Sequence, residues 1–194
     1  MPHKFDVREK QKLLSEEREA ALQPVRLLRK LGLRAGDTVA DIGCGPGFFT
    51  LPAAQIVGER GIVLAGDIQG EMLTAVRGRA HDAGLRNVRV FKTSETEIPL
   101  PAESFDFVLL AFVLNEVEHR ATFLHRAAKL LRESGRVAVL EWERVETSDG
   151  PPLEERLSRD ELVDDAHAVG LRVKEDGELD EASYYYVFVR SSGR

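Results

Sequence analysis

Apolar residues along this chain recur with two different periods, and the alternation between them predicts the fold. Short apolar runs at 38–42, 62–66, 88–92, 105–111 and 136–142 have strand length and are bounded by turn residues. Segments with helical spacing separate them. Residues 48–57 read as a helix closed by Gly58. Residues 71–83 read as a helix with Gly84 just past its end, where a left-handed backbone is common. Phe123, Ala127, Leu130 and Leu131 repeat at helical spacing ahead of Gly135. Strands alternating with helices predict a parallel sheet covered on both faces.

The last third has a different rhythm. Residues 143–155 are polar and contain Gly150-Pro151-Pro152, which predicts a loop. Ser158 and Glu161 have capping-box spacing, with Leu157 and Leu162 placed as a staple, so a helix is expected to begin there and end at Gly170. Residues 171–174 and 184–189 read as two strands joined by an acidic turn, pairing antiparallel at one end of the sheet. In Tyr184-Tyr185-Tyr186, alternation assigns one face to the core and leaves the other exposed. The leading residues are charged and suggest a helix outside the core. The chain thus divides into a helical segment over 1–24, a candidate lid, and one domain over 25–194.

Composition narrows the class. A chain of 194 residues holds one domain with a proper core, not two and a linker. No apolar run approaches the roughly 18 residues of a membrane helix. The longest, 105–117, is broken by Asp106, Asn115 and Glu116. The segment up to Lys12 lacks the apolar stretch of a signal peptide. The single cysteine, Cys44, excludes an internal disulfide and a cysteine-rich metal site, so a cytoplasmic location and no metal are expected. A formal net charge of -6 argues against the basic face that grips nucleic acid. A small-molecule acceptor is the expected partner, in a monomer or a homodimer.

The chemistry is concentrated in Val39-Ala40-Asp41-Ile42-Gly43-Cys44-Gly45-Pro46-Gly47-Phe48-Phe49. A strand runs into a glycine-rich turn and then a helix. The glycines let the backbone turn sharply and approach a ligand, and the helix start offers unpaired N–H groups. A dinucleotide site would need G-x-G-x-x-G, but Phe48 stands where the third glycine belongs. Asp67 ends the second strand, where a carboxylate faces the crevice and accepts both hydroxyls of a ribose. After the fourth strand, Asn115, Glu116 and His119 are the polar candidates for the reaction itself. For Asn115 and Glu116 the competing role is capping or solvation, and for His119 simple exposure. His81, His125 and His167 fall in helices and suggest no chemistry.

Four blocks together resemble the class I methyltransferases of the type 11 domain group, which includes ubiquinone and menaquinone C-methyltransferases. They are residues 41–47, Gly66-Asp67, Ile98-Pro99-Leu100-Pro101 with Ser104-Phe105-Asp106, and Leu130-Leu131-Arg132-Glu133-Ser134-Gly135-Arg136. The resemblance covers roughly residues 25–145. It implies a Rossmann-like three-layer α/β sandwich, with a mostly parallel seven-stranded sheet and an antiparallel last strand. It implies S-adenosylmethionine as cofactor, with the methionine on Asp41, Gly43, Cys44, Gly45, Gly47 and Phe48 and the ribose on Asp67. The adenine would lie near Ile68, Met72, Ser94 and Glu95, with Ala111 below the reacting centre. Two blocks depart from the family. Ser94-Glu95 replaces a common Asp-Ala, and 131–135 replaces a Leu-Lys-Pro-Gly-Gly turn. The expected function is methyl transfer to a small molecule; a catalytically silent cofactor binder on the same fold is the alternative. The acceptor pocket is expected between 112–116, the Trp142-Glu143 strand end and the segment around Phe5.

Overall fold

The computed structural model describes residues 12–147 and 150–191. Seven strands form one sheet: β1 (Thr38–Ile42), β2 (Ile62–Asp67), β3 (Val88–Lys92), β4 (Phe105–Ala111), β5 (Leu131–Trp142), β6 (Leu171–Asp180) and β7 (Ser183–Arg190). Their order is β3-β2-β1-β4-β5-β7-β6, and β7 runs opposite to the other six. The chain goes from β1 to β2 on one side, then crosses to place β4 on the other. That reversal leaves a crevice at the carboxyl ends of β1 and β4, where ligands of open α/β sheets bind.

Strand alternation sorts the core into two layers. On one face Ala40, Ile42, Val108, Leu110, Val137 and Val139 pack against α5 (Arg120–Leu130) and α6 (Arg159–Ala168). On the other, Val39, Val63, Phe107, Leu109 and Leu140 meet α2 (Pro24–Lys30) and α3 (Thr50–Val57). There α4 (Gly70–Asp82) adds Leu73 and Val76 over Ala65. Leu22, at the end of α1 (Glu16–Leu22), is buried in the same cluster as Leu27 and Leu28. The capping box at Ser158 forms in full, and Leu157 and Leu162 are both buried beside it. Among the described residues no helix is long and apolar enough to cross a membrane.

Several boundaries move for identifiable reasons. The third helix begins at Thr50, not at residue 48, because the glycine turn continues through Phe49. The fifth helix stops at Leu130. From Leu131 the chain already pairs with β4, through a bulge between Phe105 and Phe107. The expected acidic turn after residue 174 is instead the second half of β6, which is an edge strand. Its acids face water, as charged edges commonly do. The expectation of an exposed tyrosine face also fails: Tyr184, Tyr185 and Tyr186 are all buried. Flanked by β5 and β6, β7 is covered on both faces, and Tyr185 lies under the Lys30 ammonium with its hydroxyl donating to Glu175 at 3.0 Å.

Asp106 shows a recognisable motif residue at work on the fold. Its carboxylate accepts the Thr38 N–H at 2.8 Å and two contacts from Arg132, at 2.8 and 2.7 Å. It ties the start of β1 to the first residues of β5, at the end of the sheet away from the crevice.

Candidate active site

The crevice opens into a cavity of about 1220 Å³ over the carboxyl ends of β1, β2, β4 and β5. That is larger than the common range for a single small ligand, roughly 300–1,000 Å³. Its floor is the glycine turn. The Gly43 and Cys44 N–H groups both donate to Gly66 O, at 2.8 and 3.0 Å, which clamps the turn onto β2. Arg79 donates to Pro46 O at 2.7 Å from the helix behind. Gly45 sits at φ +51°, and a Cβ there would make only an ordinary contact with Leu13 Cδ1, at 3.6 Å. A Cβ on Gly47 would meet Leu51 at 3.0 Å and Val76 at 3.1 Å, so Gly47 serves close helix packing and does not line the cavity.

Asp67 is oriented by backbone alone. One carboxylate oxygen accepts the Gly45 N–H at 2.9 Å, the other the Gln69 N–H at 2.8 Å. The Ile68 N–H also bears on this carboxylate, whose two oxygens have four lone-pair directions between them and so retain acceptor capacity. Burial raises the Asp67 pKa, and the Gln69 and Gly45 N–H groups oppose that rise. Asp41 lies deeper. Its Oδ2 accepts the Thr50 hydroxyl at 2.5 Å, and burial pushes its carboxyl up to about 7. Cys44 is buried, and burial holds its thiol well above the usual range, so it is a protonated wall group and not a nucleophile.

Beyond Asp67, Ile68, Met72, Thr93, Ser94 and Glu95 line one end of the cavity. The loop there is braced by Thr93 Oγ1 donating to Glu97 O at 2.7 Å and by Ser94 N–H donating to the same oxygen at 3.0 Å. Ser94 Oγ lies 3.2 Å from Thr96 Oγ1, which leaves it able to contribute a second contact.

The opposite end is built from side chains. Ala111 is followed by Phe112 at φ +58°, a left-handed backbone unusual for a bulky residue. The Phe112 N–H donates to Leu140 O at 2.8 Å, and its ring lies 5.2 Å from that of Trp142, tilted by 48°. A single helical turn, Leu114–Glu116, carries Asn115 and Glu116 into the wall. Beneath it Glu141, fully buried, accepts the Leu114 N–H on Oε1 at 2.8 Å. Burial pushes this carboxyl up to about 8, so it is mainly protonated at neutral pH. Glu141 Oε2 and Asn115 Oδ1 are both buried without a hydrogen-bond partner.

Most of the expected residues therefore come together. Asp41, Gly43, Cys44, Gly45, Phe48, Asp67, Ile68, Met72, Ser94, Glu95, Ala111, Asn115 and Glu116 all line the cavity. His119 does not: it is exposed at the start of α5. Phe5 lies outside the described residues. Sequence reasoning missed Arg18, Thr50 and Glu141. Only Glu141 carried a usable signal, as an acid ending the otherwise apolar run 137–142.

The methyltransferase domain family matches residues 40–139. The ubiquinone/menaquinone biosynthesis C-methyltransferase UbiE of Vibrio vulnificus (strain YJ016) is 34% identical over 160 residues, which is 80% of this chain and 57% of that protein. The chain thus spans little more than half the length of that relative. A crystal structure of a SAM-dependent methyltransferase from Aquifex aeolicus superposes with a TM-score of 0.90 at 32% identity, covering 95% of this chain and 98% of that one. The [4+2]-cyclase SpnF shares the fold, with a TM-score of 0.79 at 13% identity over 92% of this chain and 83% of its own.

Proposed function

The chain belongs to the methyltransferase domain family, and from that premise we propose that it transfers a methyl group from S-adenosylmethionine to a small organic acceptor. One observation carries the cofactor reading: Asp67 is pinned by the Gly45 and Gln69 N–H groups, with acceptor capacity left on the carboxylate. That is the geometry a vicinal diol requires. Gly45 leaves the cavity floor beside it without a side chain, and Ile68, Met72 and Ser94 suit a flat heterocycle. When bound, the cofactor supplies an electrophilic methyl carbon and departs as a neutral thioether.

Positioning and exclusion of water are then the main tasks of this chain. Phe112 and Trp142 make an aromatic wall for a planar acceptor. Asn115 Oδ1, buried and without a partner, is costly to leave so and suits a hydroxyl donor on that acceptor. The Vibrio relative is a C-methyltransferase of ubiquinone/menaquinone biosynthesis, which makes a hydroxylated ring the first acceptor class to try. Carbon methylation of such a ring needs the hydroxyl proton to be held or removed. Asn115 orients that hydroxyl, and Glu116 on the same turn takes the proton. Residues 12–24 act as a lid, since Leu13, Arg18 and Leu22 all line the cavity.

The direct test is calorimetry with S-adenosylhomocysteine, followed by labelled-methyl transfer to a panel of small hydroxylated rings, simple phenols and amines. Binding with transfer to the hydroxylated rings is the expected result. Binding with no transfer to any acceptor would leave a silent cofactor binder, and no binding would end the methyltransferase reading.

A further inference from the structure

Beyond the carboxyl end of β5 the chain forms one side of the cavity, through Val145, Glu146, Thr147, Gly150 and Pro151. The sequence there predicts only a polar loop, and its anchor is a side chain from outside it. Arg156 follows the single helical turn Leu153–Glu155 and is only 4% exposed. Its Nε donates to Pro151 O at 2.9 Å. Its Nη1 donates to Glu143 O at 3.2 Å and Val145 O at 2.6 Å, and its Nη2 to Thr147 Oγ1 at 2.6 Å. These acceptors lie on both flanks of the loop, so one planar group ties the flanks together. A guanidinium offers five N–H donors in a fixed fork, which an ammonium on a flexible stem does not. Arg159, on the first turn of α6, holds the same root from another side, its Nε donating to Glu143 Oε1 at 2.8 Å.

The loop held in this way fixes Trp142. Gly150 sits at φ +92°, and a Cβ there would lie 2.9 to 3.1 Å from Cδ2, Cε3 and Cε2 of the indole. Only a glycine backbone approaches the ring so closely. The Arg156 guanidinium carbon is itself 5.6 Å from the centre of that ring, within cation–π range. Phe112 lies 5.2 Å from it. Backbone, guanidinium and a second aromatic ring therefore bound the indole, and a side chain locked by its neighbours holds a binding wall in one geometry.

We propose that Arg156 is a positioning residue that sets the shape of the acceptor end of the cavity: by closing the loop onto Trp142 it fixes the aromatic wall for a planar ring and excludes bulkier acceptors. The proposal rests on the reading of this edge as the acceptor site. Arg156 stands behind the wall and is not among the side chains that line the cavity, so it acts through Trp142 and the loop. The glycine turn and Asp67 belong to other strands, and cofactor binding does not depend on it.

Trp142 is the one tryptophan of the chain, so its fluorescence reports this wall alone. Wild type, Arg156→Met and Arg156→Lys are compared as full chains, with thermal melts to confirm folding. Arg156→Met is expected to raise acrylamide quenching of Trp142 about twofold or more while S-adenosylhomocysteine affinity stays within about twofold. For a single-ring phenol KM should rise about 10-fold with kcat within about threefold, and a phenol with a branched alkyl group should lose its disadvantage. Arg156→Lys should fall between the two in each measurement. Unchanged quenching in folded Arg156→Met protein would overturn the proposal, as would raised quenching with KM and acceptor preference left as in wild type. A cofactor affinity that falls as far as the acceptor KM rises would overturn it too, and make Arg156 a residue of general stability. If Arg156→Met does not fold, Gly150→Ala takes its place: it keeps the arginine, pushes the loop off the indole, and should produce the same changes, whose absence would overturn the proposal. Wild type that methylates none of the phenols would refute the acceptor reading itself, an outcome seen before any variant is compared.

Discussion

At the β1–β2 edge of the cavity the polar groups are set by main chain; at the β4–β5 edge they are set by side chains. The first edge uses Gly43, Cys44 and Gly45 N–H groups against Gly66 O and Asp67, all within one turn and the next strand end. The second gathers Phe112, Asn115, Glu141 and Trp142 from three segments, with Arg18 reaching in from α1. Main-chain donors have few alternative positions, so the first edge is rigid and suited to a ligand that never changes. Side chains can be exchanged without moving the sheet, so under the proposed function the second edge is where an acceptor would be chosen.

The sharpest way to break the contrast is Gly45→Val. It forces a β-branched residue to φ +51° and fills the space beside Asp67, so cofactor binding should be lost entirely while far-ultraviolet circular dichroism stays native. Normal affinity in a folded Gly45→Val protein would place the ligand elsewhere. Asp67→Ala comes next, with a loss of about 1.5–3 kcal/mol in S-adenosylhomocysteine binding, because two charge-assisted contacts disappear. An unchanged Kd would remove the ribose assignment.

The acceptor edge should respond in the opposite sense. Asn115→Ala is expected to lower kcat/KM for an identified acceptor by about 1–1.5 kcal/mol while cofactor affinity stays within about twofold. A parallel fall in cofactor affinity would dissolve the division into two edges. A separate test, of stability and not of binding, concerns Glu141, whose pKa burial raises from 4.5 to about 8. A carboxyl raised on folding stabilises the protein fully below its unfolded pKa, and that stabilisation is lost as the pH rises through its folded pKa. Glutamine does not titrate. The stability of wild type relative to Glu141→Gln should therefore decline from about pH 5 to about pH 9 in denaturant titrations. Asp41 behaves alike in both proteins and cancels from the difference. A flat difference would show that Glu141 is not held neutral.

The order of strands and helices, the glycine turn and Asp67 were legible in the sequence for one reason: each is a local pattern. Periodicity reports burial within a segment, and a turn glycine reports its own backbone. Tyr185 and the second half of β6 were misread because their surroundings are set by strand order, which no local period encodes. His119 lies three residues from Glu116, yet the chain turns at Val117 and carries it to the surface.

What the sequence by itself determined is the floor of the cavity, since residues 41–47 and 66–67 need only neighbouring strands to meet. Only the tertiary structure decided the opposite wall. Phe112 acquires its left-handed backbone from the bond to Leu140, and Glu141 its neutrality from complete burial under Leu114. Arg18 acquires the rings of Phe48 and Phe112 from segments 30 and 94 residues further along the chain. These are properties of surroundings assembled from distant parts of the chain. Burial, dielectric and ring contact belong to the packed volume and not to any stretch of residues.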